Sequence, residues 1–473
     1  MTRVQHSVAE ELDRIAPVID ELGRRFRDAG EELALVGGSV RDAMLGRHQN
    51  DLDFATSARP VRTEELITGW ADATWDMGRS FGTIGCRKGA WNVEITTYRS
   101  EAYDPTSRKP TVDFGDTLAG DLGRRDFTVN AMAVRVPDRA FEDPFGGIVD
   151  LGHRVLRTPG RPEDSFSDDP LRMMRAARFA AQLGFTVDPG VVAAMTAMAD
   201  RIAIVSAERV RDELVKLVCA QYPRRGLTLL AQTGLADHVL PELPALALER
   251  DEHHRHKDVY EHTLTVLEQT IELEHRLPRG EPDFVARFAA LMHDVGKPRT
   301  RRFVGDGTVT FHHHDVVGAK LTRKRMRALR FSNDVTDAVA KLVELHLRFH
   351  GYGEGEWTDS AVRRYVRDAG DQLERLHVLT RADCTTRNRR KAERLRRTYD
   401  DLEERISRLS EEEQLASIRP DLDGNQIMEI LGIGAGPEVG DAYRFLLELR
   451  LEHGPQSPEQ ARAALLDWWS ARS

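Results

Sequence analysis

Two aspartates in the run DLDFAT, Asp51 and Asp53, lie shortly after a double glycine, Gly37-Gly38, in the run LVGGSVRD at 35–42. Side chains on a strand alternate, so both carboxylates share one face while Leu52 and Phe54 take the other. Neighbouring ionised carboxylates raise each other's pKa unless a cation sits between them. An all-oxygen set of this kind suits Mg²⁺, which keeps positions for water and phosphate oxygens. The glycines let the backbone pass close to a ligand, and the helix start after them favours an anion. A phosphate cradle beside a metal-holding pair has the parts for nucleotidyl transfer: lowering the pKa of an attacking hydroxyl and neutralising a leaving group. Taken apart, the two halves read as a tight turn and a solvated strand; their order along the chain is what joins them.

A second pattern could read a base. Asp169, Arg172, Arg175 and Arg178 recur every three residues beside Pro170, so a helix begun there would carry them as a slowly winding strip. Cytosine and adenine each present an exocyclic amino donor next to an unprotonated ring nitrogen; uracil and guanine present a carbonyl and a ring N–H. Aspartate accepts only and arginine donates only. An Asp169–Arg172 pair therefore matches C and A and mismatches U and G, and such a mismatch can discriminate by roughly 10⁴-fold. The alternative is an exposed, salt-bridged helix.

A third set consists of metal-ligand types: His262, His293-Asp294 after an apolar run, His314, His346 and Asp383. On successive helices these side chains can converge on one bundle centre. His254, His256, His312 and His313 read as surface residues.

The elements that position these groups divide in two. An apolar stripe, Leu12, Ile15, Val18, Ile19, Leu22 and Phe26, predicts a helix that stops at Gly30. β-like runs at 33–36, 51–55, 83–87 and 92–98 follow, separated by glycines and polar turns. After residue 161 helical patterns dominate, apart from a hairpin expected across 300–311. The fold class is multidomain: a mixed α/β head with a small sheet, then a largely α-helical body. The expected domains are a catalytic head at 1–158, a helical nucleotide- and RNA-binding neck at 159–250, a helical metal domain at 251–390, and a helical tail at 391–473.

At 473 residues, with 40% hydrophobic and 31% charged residues, the chain is globular, not disordered, and too long for one core. It carries no signal-peptide core and no membrane-length apolar run. Cys86, Cys219 and Cys384 are too scattered for a disulfide framework or thiolate zinc site. A cytoplasmic location is expected. The net charge of −9 leaves RNA binding undecided, because local placement decides it; Arg and Lys cluster at 124–125, 172–178, 320–330 and 387–397.

Four motifs carry a resemblance. The runs LVGGSVRD with DLDFAT, RRDFTVNA at 124–131, DPFGGIVDL at 143–151 and DDPLRMMRAARF at 168–179 resemble, in order, those of the bacterial and eukaryotic type of CCA-adding enzyme. That family belongs to the polymerase β-like nucleotidyltransferase superfamily. In the last run Asp168 stands where the family has Glu. The resemblance implies that Asp51 and Asp53 carry Mg²⁺, with Glu94 as an accessory carboxylate or a structural ion pair. It implies that Gly37, Gly38 and Arg41 hold the triphosphate, that Asp169 and Arg172 choose the base, and that Arg125, Arg175 and Arg178 bind nucleotide.

The histidine set resembles the HD-type metal phosphohydrolases. His262, His293, Asp294 and Asp383 are the clearest matches, and His314 and His346 complete a two-metal version with a divalent transition metal. The run GNQIMEILGIGAGPEVG at 424–440 resembles the family's C-terminal, tRNA-cradling segment. The implied activity is addition or repair of the tRNA CCA end from CTP and ATP, with an added HD phosphohydrolase or phosphodiesterase activity. The segment 99–121, rich in Gly, Pro and charge, is the expected loop for switching from C to A. A poly(A) polymerase and an HD phosphohydrolase with a nucleotide-binding head are the rivals. The oligomeric state is open.

Overall fold

The stripe from Leu12 to Phe26 forms the inner face of α1 (Arg3–Asp28), with each of its six side chains at most 8% exposed. The computed structural model describes residues 3–76, 78–79, 82–102, 111–115, 117–247, 258–278, 280, 282–303, 305, 309–352, 357–384, 389–413 and 419–472. The chain divides into two compact units, Met1–Pro241 and Glu242–Ser473.

In the first unit α1 packs on β1 (Leu33–Val36) of a seven-stranded mixed sheet. Its other strands are β2 (Asp51–Thr56), β3 (Ala73–Trp75), β4 (Thr83–Lys88), β5 (Trp91–Thr97), β8 (Ala133–Arg135) and β9 (Phe141–Glu142), in the order β3-β4-β5-β2-β1-β8-β9. A separate hairpin joins β6 (Arg99–Ala102) to β7 (Thr111–Phe114); the rest of the expected switching loop, 103–110 and 116, lies outside the described residues. Strand β1 is buried along its length, as its continuous apolar run requires. Strand β2 alternates instead: Leu52 and Phe54 are buried, Asp51 and Asp53 exposed. It runs antiparallel to β1 and parallel to β5, which sets Asp53 opposite Glu94 and Asp51 opposite Asn92.

Short helices α2 (Gly38–Met44), α3 (Pro60–Ile67), α4 (Leu118–Gly123) and α5 (Gly147–His153) flank the sheet. They are followed by α6 (Pro162–Asp168), α7 (Leu171–Leu183), α8 (Pro189–Ala197), α9 (Ala207–Val218), α10 (Pro223–Gln232) and α11 (Leu235–Val239). Helix α7 is the hub: it packs against both α9 and α10 and buries Met173, Met174, Ala177 and Ala181. Gly226 permits this, since a Cβ there would stand 2.5 Å from the Ala177 carbonyl oxygen. A small parallel pair, β10 (Val155–Leu156) with β11 (Thr186–Val187), ties the start of this helical region to the end of α7.

The second unit is helical. Helices α12 (Val259–Leu273), α13 (Phe284–Met292), α14 (Lys297–Thr300), α15 (His314–Ala328), α16 (Asn333–Leu345), α17 (Asp359–Ala369) and α18 (Leu373–Ala382) form a bundle. The hairpin expected across 300–311 forms as β12 (Arg302–Phe303) against β13 (Val309–Thr310). In the bundle α13 contacts α12, α16 and α18. A buried bidentate pair, Arg287 to Glu274 at 2.6 and 2.7 Å, fastens α13 to the turn after α12. Beyond α19 (Arg389–Glu413), the helices α20 (Gly424–Leu431), α21 (Pro437–His453) and α22 (Pro458–Ser470) share a core of Leu422, Ile427, Ala442, Leu446, Ala461 and Leu465. No described helix is long and apolar enough to cross a membrane.

Candidate functional site

The first unit holds a polar cavity of about 520 Å³ walled by eight arginines (Arg41, Arg99, Arg124, Arg125, Arg172, Arg175, Arg178 and Arg209) together with Gly37, Gly38, Asp53, Asp126 and Asp169. The sheet supplies one rim. Asp53 has its backbone N–H on Ser39 Oγ at 3.0 Å, and Ser39 Oγ also donates to the Asp51 carbonyl. The double-glycine turn is thereby stitched to the carboxylate strand. Gly37 sits at φ +69°, a left-handed conformation that strains any other residue, and a Cβ on it would stand 2.7 Å from Arg125 Nη1 and displace that guanidinium. Helix α2 is only seven residues long, so the arginines, and not its dipole, dominate the field that meets an anion.

Asp51, Asp53 and Glu94 all face solvent on one side of β2 and β5. Asn92 Nδ2 donates to Asp51 Oδ1 at 2.9 Å, while Glu94 makes no ion pair among the described residues. Enclosure by the cavity walls, followed by the Glu94 and Asp51 charges, lifts the Asp53 pKa above its ordinary value against the pull of Arg125 and Arg41. That is the electrostatic signature of a carboxylate group short of positive charge. The described residues close no three-ligand cage here, as fits a cation that takes its remaining ligands from phosphate and water.

Across the cavity each arginine is held by a specific partner. Arg41 grips Asp42 through Nε and Nη2 at 2.9 and 2.8 Å and donates to Asn130 Oδ1 at 2.6 Å. Buried Asp121 accepts from both Arg124 and Arg125, at 3.0 and 3.1 Å. Buried Asp126 accepts from Arg175, Asn130 and the Phe127 N–H. Burial opposes its ionisation, yet Arg175 and Asn130 bring its pKa down to about 2. The ring of Phe179 lies under three guanidinium groups, those of Arg178, Arg41 and Arg175, with their central carbons 4.0, 5.2 and 5.5 Å from its centroid.

The expected strip of four is not all helical. Arg172, Arg175 and Arg178 lie on α7, but Asp169 occupies the extended joint between α6 and α7 (φ −143°, ψ 100°), with Pro170 capping the new helix. Nor do Asp169 and Arg172 bond each other through their side chains. Asp169 Oδ1 accepts from the Leu171 N–H and Oδ2 from Arg209. Arg172 donates to Ser165 Oγ at 2.9 Å and to the Arg124 carbonyl at 2.6 Å. Both line the cavity with their pairing to each other unused. Arg99, Asp126, Asn130 and Arg209 join this wall without having been singled out. Asp126 and Asn130 lie within RRDFTVNA at helical spacing, a usable signal; Arg209 reaches the site only because α9 folds across α7.

In the second unit all six metal-type residues meet. His262 comes from α12, His293 caps α13 with Asp294 next to it, His314 begins α15, His346 caps α16 and Asp383 caps α18. Ligand atoms of His262, His293 and Asp383 lie within 4.8 Å of one another, as do those of Asp294, His314 and His346. His293, His314 and His346 each place Nδ1 on the carbonyl oxygen three residues earlier, at 2.7–2.8 Å. Nδ1 must then be the donor, which leaves Nε2 as a lone pair directed inward. His293 Nε2 stands 3.2 Å from Asp294 Oδ2, out of line for a hydrogen bond, and is a buried nitrogen without a hydrogen-bond partner among the described residues.

Facing lone pairs of this kind call for a proton or a cation between them. Burial and then His293 push His346 down to about 4, while Asp294, against burial, raises His293. Burial also opposes ionisation of Asp294 and Asp383, yet neighbouring histidines hold both carboxyls below the usual range. Lys297 Nζ, 2.6 Å from Asp294 Oδ2, adds one fixed positive charge. The imidazole and carboxylate set fits a divalent metal. His312 and His313 are exposed, and His254 and His256 lie outside the described residues.

Residues 33–157 match the poly A polymerase head domain, 184–246 the probable RNA and SrmB-binding site of polymerase A, and 259–388 the HD domain. The A-adding tRNA nucleotidyltransferase of Deinococcus radiodurans is 36% identical over 92% of this chain and 95% of its own length. The CC-adding tRNA nucleotidyltransferase of Thermus thermophilus is 33% identical over 92% of this chain and 94% of its own. The crystal structure of the Bacillus stearothermophilus CCA-adding enzyme in complex with CTP superposes with a TM-score of 0.65 at 25% identity, covering 95% of this chain and 96% of that one.

Proposed function

Because the chain belongs to the tRNA nucleotidyltransferase family, we propose that it builds or repairs the CCA 3′ end of tRNA without a nucleic-acid template, using CTP and ATP and releasing pyrophosphate. The observation that carries this reading is a cavity whose wall of eight arginines, Arg172 among them, runs from Asp53 at one rim to Asp169 at the other. A triphosphate and a base are held there together. The Gly37-Gly38 turn lets the phosphates approach the backbone beside Arg41 and Arg125. Asp51 and Asp53, with Glu94 beside them, hold Mg²⁺, which when bound supplies charge neutralisation and eases ionisation of the attacking hydroxyl. The tRNA 3′-oxygen bonds to the α-phosphorus as the bond to the β,γ-pyrophosphate breaks; the arginine wall receives the charge that leaves. Arg175 and Arg178 are held at fixed positions along the nucleotide by Asp126 and Glu213. Asp169 accepts the exocyclic amine and Arg172 donates to the ring nitrogen, which admits C and A alone.

The His262, His293, Asp294, His314, His346 and Asp383 cluster holds a divalent transition metal and gives the chain a phosphohydrolase or phosphodiesterase activity. Its inward Nε2 lone pairs support that assignment. A narrower reading, addition of A alone or of CC alone, has one observation in its favour: two relatives that match over nine-tenths of the chain are A-adding and CC-adding enzymes.

The deciding experiment incubates the protein with tRNA transcripts ending before C, after CC, and complete, with Mg²⁺ and each nucleotide, then sequences the 3′ ends. Growth to CCA followed by arrest, lost in Asp53→Ala, is the expected result. Growth only from one of the shortened ends selects the narrower reading, and unlimited A tails or no growth at all rejects the proposal.

A further inference from the structure

The residue least expected in the cavity is Arg209. It sits in the first turn of α9, whose N-cap Ser206 accepts from the Arg209 N–H, and whose buried face of Val210, Leu214 and Leu217 packs on α7. Its Nη2 lies 2.8 Å from Asp169 Oδ2. One turn further along the same face, Glu213 accepts from Arg178 Nε. Helix α9 therefore grips the nucleotide-facing strip at two points with opposite charges: a cation on Asp169 and an anion on Arg178.

The two grips do different things. Arg178 is already fixed by its helix and by a bond to Gln182 Oε1 at 2.9 Å. Asp169 lies outside both helices, in the extended joint before α7: its backbone is held by the Ser165 carbonyl and the Arg172 N–H, but among the described residues its side chain has only one other bond, the Leu171 N–H on Oδ1 at 3.1 Å. A carboxylate held on one oxygen swings about that contact; held on both, it presents its remaining lone pairs in one direction. The guanidinium of Arg209 is about half exposed and Asp169 nearly covered, at 54% and 15%. The arginine thus reaches in from the surface to lock a carboxylate that already faces the cavity.

We propose that Arg209 is a positioning residue for base selection, aiming the Asp169 carboxylate at the exocyclic amine of the incoming nucleotide. This rests on the assignment of Asp169 as the base-reading acceptor. Selection of this type depends on an acceptor placed to within a fraction of an ångström, and a misplacement near 1 Å costs roughly 100-fold. Losing Arg209 therefore weakens the choice of base more than it weakens the binding of phosphate.

The test measures kcat/KM for all four nucleotides on whichever shortened tRNA the full-length enzyme extends, for wild type, Arg209→Ala, Arg209→Lys, Arg211→Ala and Asp169→Ala. Arg209→Ala is expected to lower the preference for C over U, or A over G, by roughly 10- to 100-fold. Arg209→Lys, which keeps a cation within reach, should recover part of it. Arg211→Ala, which removes a charge from the same helix where it pairs with Asp212, should leave the preference intact. An Arg209→Ala preference within about twofold of wild type overturns the proposal, and so does an equal loss for all four nucleotides, which would mark a phosphate or folding effect. If Asp169→Ala itself keeps the preference, the base-reading assignment has failed; if it loses the preference while Arg209→Ala keeps it, that assignment stands and only the role of Arg209 falls.

Discussion

Asp126 offers a test of the wall that does not touch the metal-holding carboxylates. It is 6% exposed and accepts from Arg175 at 2.7 Å, from Asn130 at 2.9 Å and from the Phe127 N–H at 2.8 Å. Asp126→Asn keeps the shape and deletes the charge. The folded pKa of about 2 against an ordinary 3.8 corresponds to about 2.5 kcal/mol of preferential stabilisation of the ionised form. Because the folded pKa is the lower one, this contribution is complete above pH 4 and fades as pH falls through 2. At pH 7 the variant therefore loses all of it. For a unit of this size that is a fall of about 5–10 °C in the midpoint of the transition it governs. Calorimetry of the full chain, following the transition that CTP raises, measures this. Arg175, released from its anchor, should also lower kcat/KM for CTP by about 10- to 100-fold. A midpoint within about 1 °C of wild type at pH 7 would refute the reasoning, since it would mean the Asp126 charge is not coupled to Arg175 in the folded chain.

Three further outcomes are expected. Gly37→Ala forces a side chain into a left-handed conformation and against Arg125 Nη1, so it should cost about 1–2 kcal/mol and raise KM for CTP; an unchanged KM counts against the phosphate-cradle role. His377 is buried with its pKa depressed to about 4, mainly by burial against the pull of Glu403. The unfolded chain binds that proton first, so stability should fall by up to about 3 kcal/mol between pH 6.5 and 4, and His377→Asn should flatten the slope measured by urea titration at each pH. Purified protein should retain a divalent transition metal through gel filtration, and His293→Gln should lower the transition-metal content by elemental analysis while Asp53→Ala leaves it unchanged; retention in the His293 variant would place the ion elsewhere.

Sequence patterns predicted the elements that repeat long enough to be read. The α1 stripe, the alternation in DLDFAT and the apolar run before His293 each extend over several residues, and each forms the element it predicts. The strands Ala73–Trp75, Ala133–Arg135 and Phe141–Glu142 escape because two or three residues cannot display a period; their pairing comes from neighbours. The same limit governs the sites. Asp51, Asp53 and the arginines of α7 share local motifs and were legible, as were the six residues of the helical metal cluster. Three-residue spacing carries the helical pattern through Asp169, whereas Pro170 restricts the residue before it and leaves it extended. Arg209 lies 40 residues from its partner, and only helix packing brings the two together.

Phe179 has one more consequence. It gathers Arg41, Arg175 and Arg178 around an apolar ring, where like charges would otherwise repel. A carboxylate in that place would also gather them, but it would occupy their N–H donors and repel an approaching anion. The aromatic quadrupole acts as an uncharged counterion: it offsets crowding among the cations, spends none of their hydrogens, and adds no negative field. Asp42, Asp126 and Glu213 already hold these three guanidinium groups, and the ring offsets their remaining crowding without taking further N–H donors or adding another carboxylate to oppose an incoming phosphate.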